Sequence, residues 1–231
     1  MSIEGDEQLY LAASPVIRGP AFNRASGRVR MPHLQEMATA FFDRHRVRGW
    51  LIADDDPWPN AEDELVVGVF GASIGAIESI AGATVPTLTM RPIDPEDADR
   101  VVAIHAASGS VGVGADQREP WARVYERLAR HPDRIVLIAE IDGLPIAAAS
   151  LHVDAGVGWL RGASVVPSVR GRGVQRALIA RRIEIARERG CDVVGAWAQP
   201  HGVSASNALR MGMRQIGLRR HFRYTPPGIR G

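Results

Sequence analysis

The stretch SVVPSVRGRGVQRALIARR, residues 164–182, constrains the fold more tightly than any other part of the chain. Its first residues, through Val165 and Val166, read as the end of a strand, and Pro167 cannot continue a central one. From Val174 the apolar residues Val174, Leu178, Ile179, Ile183 and Ala186 recur at helical spacing, and Gly190 stands where a helix C-cap would. A strand therefore hands over to a helix through Pro-Ser-Val-Arg-Gly-Arg-Gly. The glycines Gly171 and Gly173 let the backbone turn tightly and approach a ligand closely. The first amides of a helix have no internal partner and lie at the positive end of its dipole. Such a start is an anion site, to which Arg170, Arg172 and Arg176 add full charges. The bland alternative is a surface turn with solvated arginines.

Charge distribution separates these readings. The chain has 231 residues, 45% of them hydrophobic, enough for one ample core or two modest ones. It contains no lysine. Residues 1–86 carry 7 arginines against 12 acids, a net of −5, and residues 87–231 carry 21 against 14, a net of +7. Within the second part, residues 157–231 hold 14 arginines and 3 acids, a net of +11. Such local excess points to a polyanionic ligand or to nucleic acid, and its gathering around one loop and its helix leaves room for a small ligand.

Cys191 is the only cysteine, which excludes an intrachain disulfide or a cysteine-rich zinc site. The seven histidines lack metal-binding spacing, so no metal is expected. The acidic start MSIEGDEQLY is unlike a signal peptide, and no run reaches the roughly 18 apolar residues of a membrane helix. A soluble, cytoplasmic protein with no membrane partner is the expectation.

Two regions are expected, 1–86 and 87–231, with the boundary near "TVPTLTMRPI". In the second, Pro95–Ala107 reads as a helix opened by Asp94, and residues 120–130 as another with Pro120 in its first turn. "RIVLIAEIDGLPIAAASLHV" reads as a hairpin about Asp142-Gly143, followed by a strand at "GWLRGASVV". After the opening loop and helix come a strand at "CDVVGAWAQ", a short helix over Ser204–Met211 stopped by Gly212, and a last strand near "RRHFRYT". This order gives an α+β fold with a mixed sheet. The first region echoes it: "HLQEMATAFFDRHRVRGWLIADDDP" resembles "VQRALIARRIEIARERGCDVVGAWAQP". A shift of 141 pairs Met37 with Leu178, Ala38 with Ile179, Phe42 with Ile183 and Gly49 with Gly190. The earlier helix is preceded by "GRVRMP", without a Gly-x-Gly loop.

"VVPSVRGRGVQRAL" resembles motif A of the GCN5-related N-acetyltransferases, Val-x-Pro-x-x-Arg/Gln-Gly-x-Gly-x-Gly/Ala. Val165, Pro167, Arg170, Gly171 and Gly173 match, while Gln175 replaces the final small residue. "SASNALRMGM" resembles the family's closing helix, with Ser204, Arg210, Gly212 and Met213 in the spacing of the branch that acetylates ribosomal-protein N-termini; His201 replaces an asparagine. The resemblance implies a mixed, mostly antiparallel central sheet flanked by helices over 87–231, preceded by a partial, degenerate copy. It implies acetyl-CoA as acetyl donor, an unidentified amine acceptor, and room for a homodimer. Amides and side chains from Arg170 through Gly171, Arg172, Gly173, Val174, Gln175 and Arg176 would cradle the pyrophosphate. Val165 and Val166 would splay from the neighbouring strand and pair with the pantetheine arm.

Attack by a neutral amine on a thioester needs a base for the ammonium and an acid for the thiolate. Many relatives use a glutamate on the strand before motif A, but Gly158–Ala163 holds no carboxylate. The tyrosine acid of many relatives is Ala208 here. The resemblance to the ribosomal-protein branch implies that Ser204 donates to the thiolate instead, with a helix N-cap as its structural alternative. His152, Asp154 and Glu140 are candidates to face the cleft, and Trp159 and Trp197 to line the acceptor pocket or pack in the core.

Other phosphate binders fit less well. No Gly-Lys-Ser/Thr follows the glycines, as a Walker A loop requires. A dinucleotide fingerprint would need a third glycine. Nucleic-acid binding is disfavoured because residues 170–196 interleave no aromatics with the arginines. The alternative from another class is a non-catalytic acyl-CoA sensor.

Overall fold

The computed structural model describes residues 1–5, 9–18, 22–27, 33–53, 63–77, 85–109 and 114–229. In chain order the main elements are β1 (Ser2–Gly5), β2 (Leu9–Ala13), β3 (Arg24–Gly27), α1 (Leu34–His45), β4 (Gly49–Ala53) and β5 (Asp63–Ser73). They continue with β6 (Leu88–Pro92), α2 (Ala98–Ala107), α3 (Arg118–Ala129), β7 (Arg134–Ile141), β8 (Leu144–Asp154) and β9 (Val157–Val165). The last are α4 (Val174–Glu188), β10 (Val193–Ala198), α5 (Val203–Arg210) and β11 (Arg214–Tyr224). The chain divides into two compact units, one of 1–67 with 218–231 and one of 68–217.

The larger unit has the strand order β5-β10-β9-β8-β7-β6 from Gly68 of β5 onward. Among the described strands of this unit only β9 and β10 pair in parallel, as the α4 crossover between them requires. Alternate residues of β7 and β8 feed two cores. Leu137, Ala139, Ala147 and Ala149 pack with Leu178 and Ile183 of α4 on one face. Val136, Ile138 and Ala148 pack with Val101 and Tyr125 of α2 and α3 on the other. The hairpin forms at Asp142-Gly143, where both residues have positive φ (50° and 76°), as a primed turn demands. The sheet is mixed and mostly antiparallel, flanked by helices, as expected.

The smaller unit orders its strands β1-β2-β3-β4-β11, and β3 and β4 are its parallel pair, joined through α1. Its core is Phe41 and Phe42 of α1 against Leu11, Leu51 and Phe222. The two units thus share a β-β-α-β frame with one parallel pair. The pairing of residues at a shift of 141 is corrected by the geometry. Met37 is exposed whereas Leu178 is fully buried, and Gly49 begins a strand whereas Gly190 ends a helix in the left-handed region. The residue that turns the chain after α1 is Arg46, at φ 51°, so the structural equivalent of Gly190 lies three positions earlier than Gly49. "GRVRMP" lies outside the described residues after Gly27.

Candidate acyl-CoA site

β9 and β10 pair only as far as Leu160 and Ala196, after which they diverge. The cause is on the far side of β9. Its register with β8 slips between the pairs Ala149–Ala163 and Ser150–Arg161, which leaves Gly162 unopposed at φ 41°. One extra residue bends β9 away from β10. The gap opens a cleft of about 460 Å³, continuous with solvent, between the diverging strands, α4 and α5. Its walls include Leu160–Ala163 of β9, Ala196–Ala198 of β10, Gln175 and Arg182 of α4, and Ser204 and Ala208 of α5.

The loop from Pro167 supplies the other feature. Gly171 and Gly173 have φ of 79° and 84°, and Gly173 caps α4. Among the described residues a Cβ on Gly173 would meet only Val85, at 3.7 Å, so what calls for glycine there is the backbone conformation. The amide of Arg170 donates to Pro167 O, and the first amide bond of α4 runs from Ala177 to Gly173 O. Between them, the six consecutive amides of Gly171–Arg176 have no backbone partner among the described residues. No acidic side chain occupies the first turn of α4. Six free amides at a helix start make an anion cradle without any side chain.

The three arginines of the loop divide in role. Arg170 folds back, its Nε donating to Val165 O (3.2 Å) and Nη2 to Ser108 O (2.7 Å), and so ties the loop to β9 and the end of α2. Arg172 is exposed. Arg176 has a buried Nε without a partner among the described residues. Val165 and Val166 lie beyond the β9 wall of the cleft, and the Val166 amide donates to Ile146 O.

Ser204 is not a helix cap. α5 begins at Val203 and its cap is Gly202, so that structural alternative is set aside. Ser204 instead takes part in a side-chain relay. Asn207 Nδ2 donates to Gln175 Oε1 (2.9 Å), and Gln175 Nε2 donates to Ser204 Oγ (3.2 Å). Gln175 needs length to bridge α4 and α5, which a small residue would not give. With its oxygen engaged as acceptor, the Ser204 hydroxyl has its proton to give.

Glu140, His152 and Asp154 are not among the cleft-lining residues. Glu140 lies 3.9 Å from Arg91, and Asp154 is exposed at the end of β8. His152 faces Trp159 across the ladder; burial and then Arg134 and Arg161 push its pKa down to about 4. Trp159 and Trp197 are half-buried neighbours with ring centroids 5.8 Å apart, and Trp159 lies so flat on β10 that a Cβ on Gly195 would come within 2.6 Å of its ring. The Arg161 guanidinium stacks over Trp197 at 4.2 Å.

Two arrangements escaped the sequence reading. Ser164 Oγ, His105 and Tyr125 form a buried chain, with Nδ1 of His105 2.7 Å from Ser164 Oγ and Nε2 2.8 Å from the Tyr125 hydroxyl. Arg182 is 2% exposed, inside the core. Its signal was present, since it stands four residues after Leu178 and one before Ile183, within the apolar stripe.

A splayed parallel pair with an amide cradle at the following helix defines an acyl-CoA-binding fold of the N-acetyltransferase type. Residues 100–213 match the model of the acetyltransferase (GNAT) family, and this part of the chain belongs to that family. No curated protein matches in sequence. Among solved structures, a functionally unknown conserved protein from Staphylococcus epidermidis has a TM-score of 0.71 at 11% identity, covering 96% of this chain and 93% of its own. A GCN5-related N-acetyltransferase from Sphaerobacter thermophilus has a TM-score of 0.66 at 16% identity, covering 96% and 82%. A tandem GNAT protein from the clavulanic acid biosynthesis pathway has a TM-score of 0.59 at 14% identity, covering 89% and 76%. These likenesses are of fold, and they extend over the N-terminal region, which is GNAT-like in fold.

Proposed function

We propose that the protein is an acetyl-CoA-dependent N-acetyltransferase acting on a primary amine, with the active site in the 68–217 unit. The observation that carries this reading is the run of six unpartnered amides at Gly171–Arg176, beside a cleft whose wall includes Gln175. The pyrophosphate of acetyl-CoA is held by those amides, with Arg172 and Arg176 as nearby cations. The pantetheine arm enters the gap between β9 and β10, against the β9 edge that runs from Leu160 to Val165 and Val166. The amine nitrogen attacks the thioester carbonyl carbon, the C–N bond forms and the C–S bond breaks. The amine loses one proton to water, and the thiolate takes one up to leave as free CoA.

Ser204 supplies the hydrogen bond to the departing thiolate, oriented by Gln175 and Asn207. No carboxylate or tyrosine is among the described residues lining the cleft, so positioning of the amine, together with water, carries the rest. The amine must be neutral to attack, which favours alkaline pH or acceptors of low amine pKa. The same lack of an acid or base favours one other reading, a non-catalytic acyl-CoA sensor. A free-thiol release assay across a library of amines separates them: turnover with any amine supports the enzyme, and binding of acetyl-CoA without release of thiol supports the sensor.

A further inference from the structure

The cleft is lined by two arginines, Arg161 and Arg182. Arg182 reaches from α4 toward the bulge in β9, where its Nη1 donates to Ser150 O (3.1 Å) and Arg161 O (3.3 Å), and its Nε donates back to Leu178 O (3.0 Å). The two protons of Nη2 have no partner among the described residues, and no carboxylate pairs with the guanidinium there. The side chain is 2% exposed, yet it lines the cleft. Burial pushes its pKa down to about 10, so it remains a cation at neutral pH. Arg161 lines the same cleft, and none of the described lining residues is acidic.

An ion withdrawn from water without a counter-charge is expensive to keep, and the carbonyl dipoles at Ser150 and Arg161 offset only part of the penalty. A guanidinium with two protons on one free nitrogen suits a carboxylate oxygen pair. We infer that the cleft recognises a substrate carboxylate, whose oxygens accept hydrogen bonds from Nη2 of Arg182. This inference rests on the cleft being the acyl-CoA site. The carboxylate has two sources, the far end of a dicarboxylic acyl chain such as malonyl or succinyl, or the carboxylate of an amino-acid acceptor. It is bound and not transformed, while acyl transfer proceeds at the thioester.

The test has two arms, run on the full chain. In the first, calorimetry compares acetyl-CoA with malonyl- and succinyl-CoA. In the second, thiol release from acetyl-CoA compares amino acids with their decarboxylated amines. A preference of about tenfold or more for the carboxylate-bearing member is expected in one arm, and the arm identifies the source. Arg182→Met should reduce that preference to under about threefold, and Arg182→Lys, which keeps the charge but loses the fork, should retain part of it. Equal treatment of both members in both arms by the wild-type protein overturns the inference, whatever the fate of the variants. A preference that survives Arg182→Met also overturns it. Binding of acetyl-CoA with no carboxylate preference leaves the acyl-CoA reading standing, whereas no CoA binding at all removes both.

Discussion

Gln175 joins α4 to α5 through Asn207 and Ser204, and its amide leaves the Ser204 proton directed elsewhere. A hydroxyl that stabilises a developing thiolate contributes about 1–3 kcal/mol, the range of hydrogen bonds to charged groups. Ser204→Ala should therefore slow turnover by about tenfold with little change in CoA affinity. Because Gly202 and not Ser204 caps α5, the variant should keep its stability to within about 0.5 kcal/mol. Steady-state kinetics with a parallel thermal melt checks both statements, and full turnover in a destabilised variant would assign Ser204 to structure. The serine and the loop glycines were legible because motif spacing is local. The burial of Arg182 could be read from its place in the apolar stripe, but its partners could not, since they are carbonyls beside a bulge 21 and 32 residues away in sequence.

At the scale of elements, His105 pins α2 and α3 to β9 through Ser164 and Tyr125. Burial pushes its pKa down to about 4 and raises that of Tyr125. The sign follows directly. Above pH 6.5 both folded and unfolded chains hold a neutral imidazole, and below it the unfolded chain binds a proton that the folded one refuses. Stability should fall as pH drops from about 6.5 toward 4, by roughly 2–3 kcal/mol from this residue alone. His152, lowered in the same sense, adds to the fall. Urea denaturation at pH 7 and pH 4.5 measures it, and His105→Gln should show a visibly smaller drop; an identical drop in the variant would contradict the assignment. Helix and hairpin positions were readable because capping, apolar period and the Asp142-Gly143 turn act over a few residues. The partner of the last strand was not readable. β11 pairs Phe222 with Leu51, and nothing within either segment names a partner 171 residues away.

For the whole molecule, the repeated frame raises the question of how many ligands one chain holds. Both units place a helix between parallel strands, but only α4 begins at a glycine turn. α1 is capped by His33 and carries Glu36 in its first turn, where an acid opposes an anion. One CoA should then bind per chain, in the 68–217 unit. The echo itself was visible in sequence, although its register was misplaced by three residues because Arg46 takes the left-handed position that Gly190 takes later. The measurement that bears most directly on this account is a calorimetric titration of acetyl-CoA into the wild-type protein and into Gly173→Val. The account predicts one site per chain in the wild type and at least about tenfold weaker binding in a folded variant, whose side chain would both strain a backbone at φ 84° and block the approach of the pyrophosphate. Unchanged affinity in the folded variant, or two equivalent sites per chain, would contradict it.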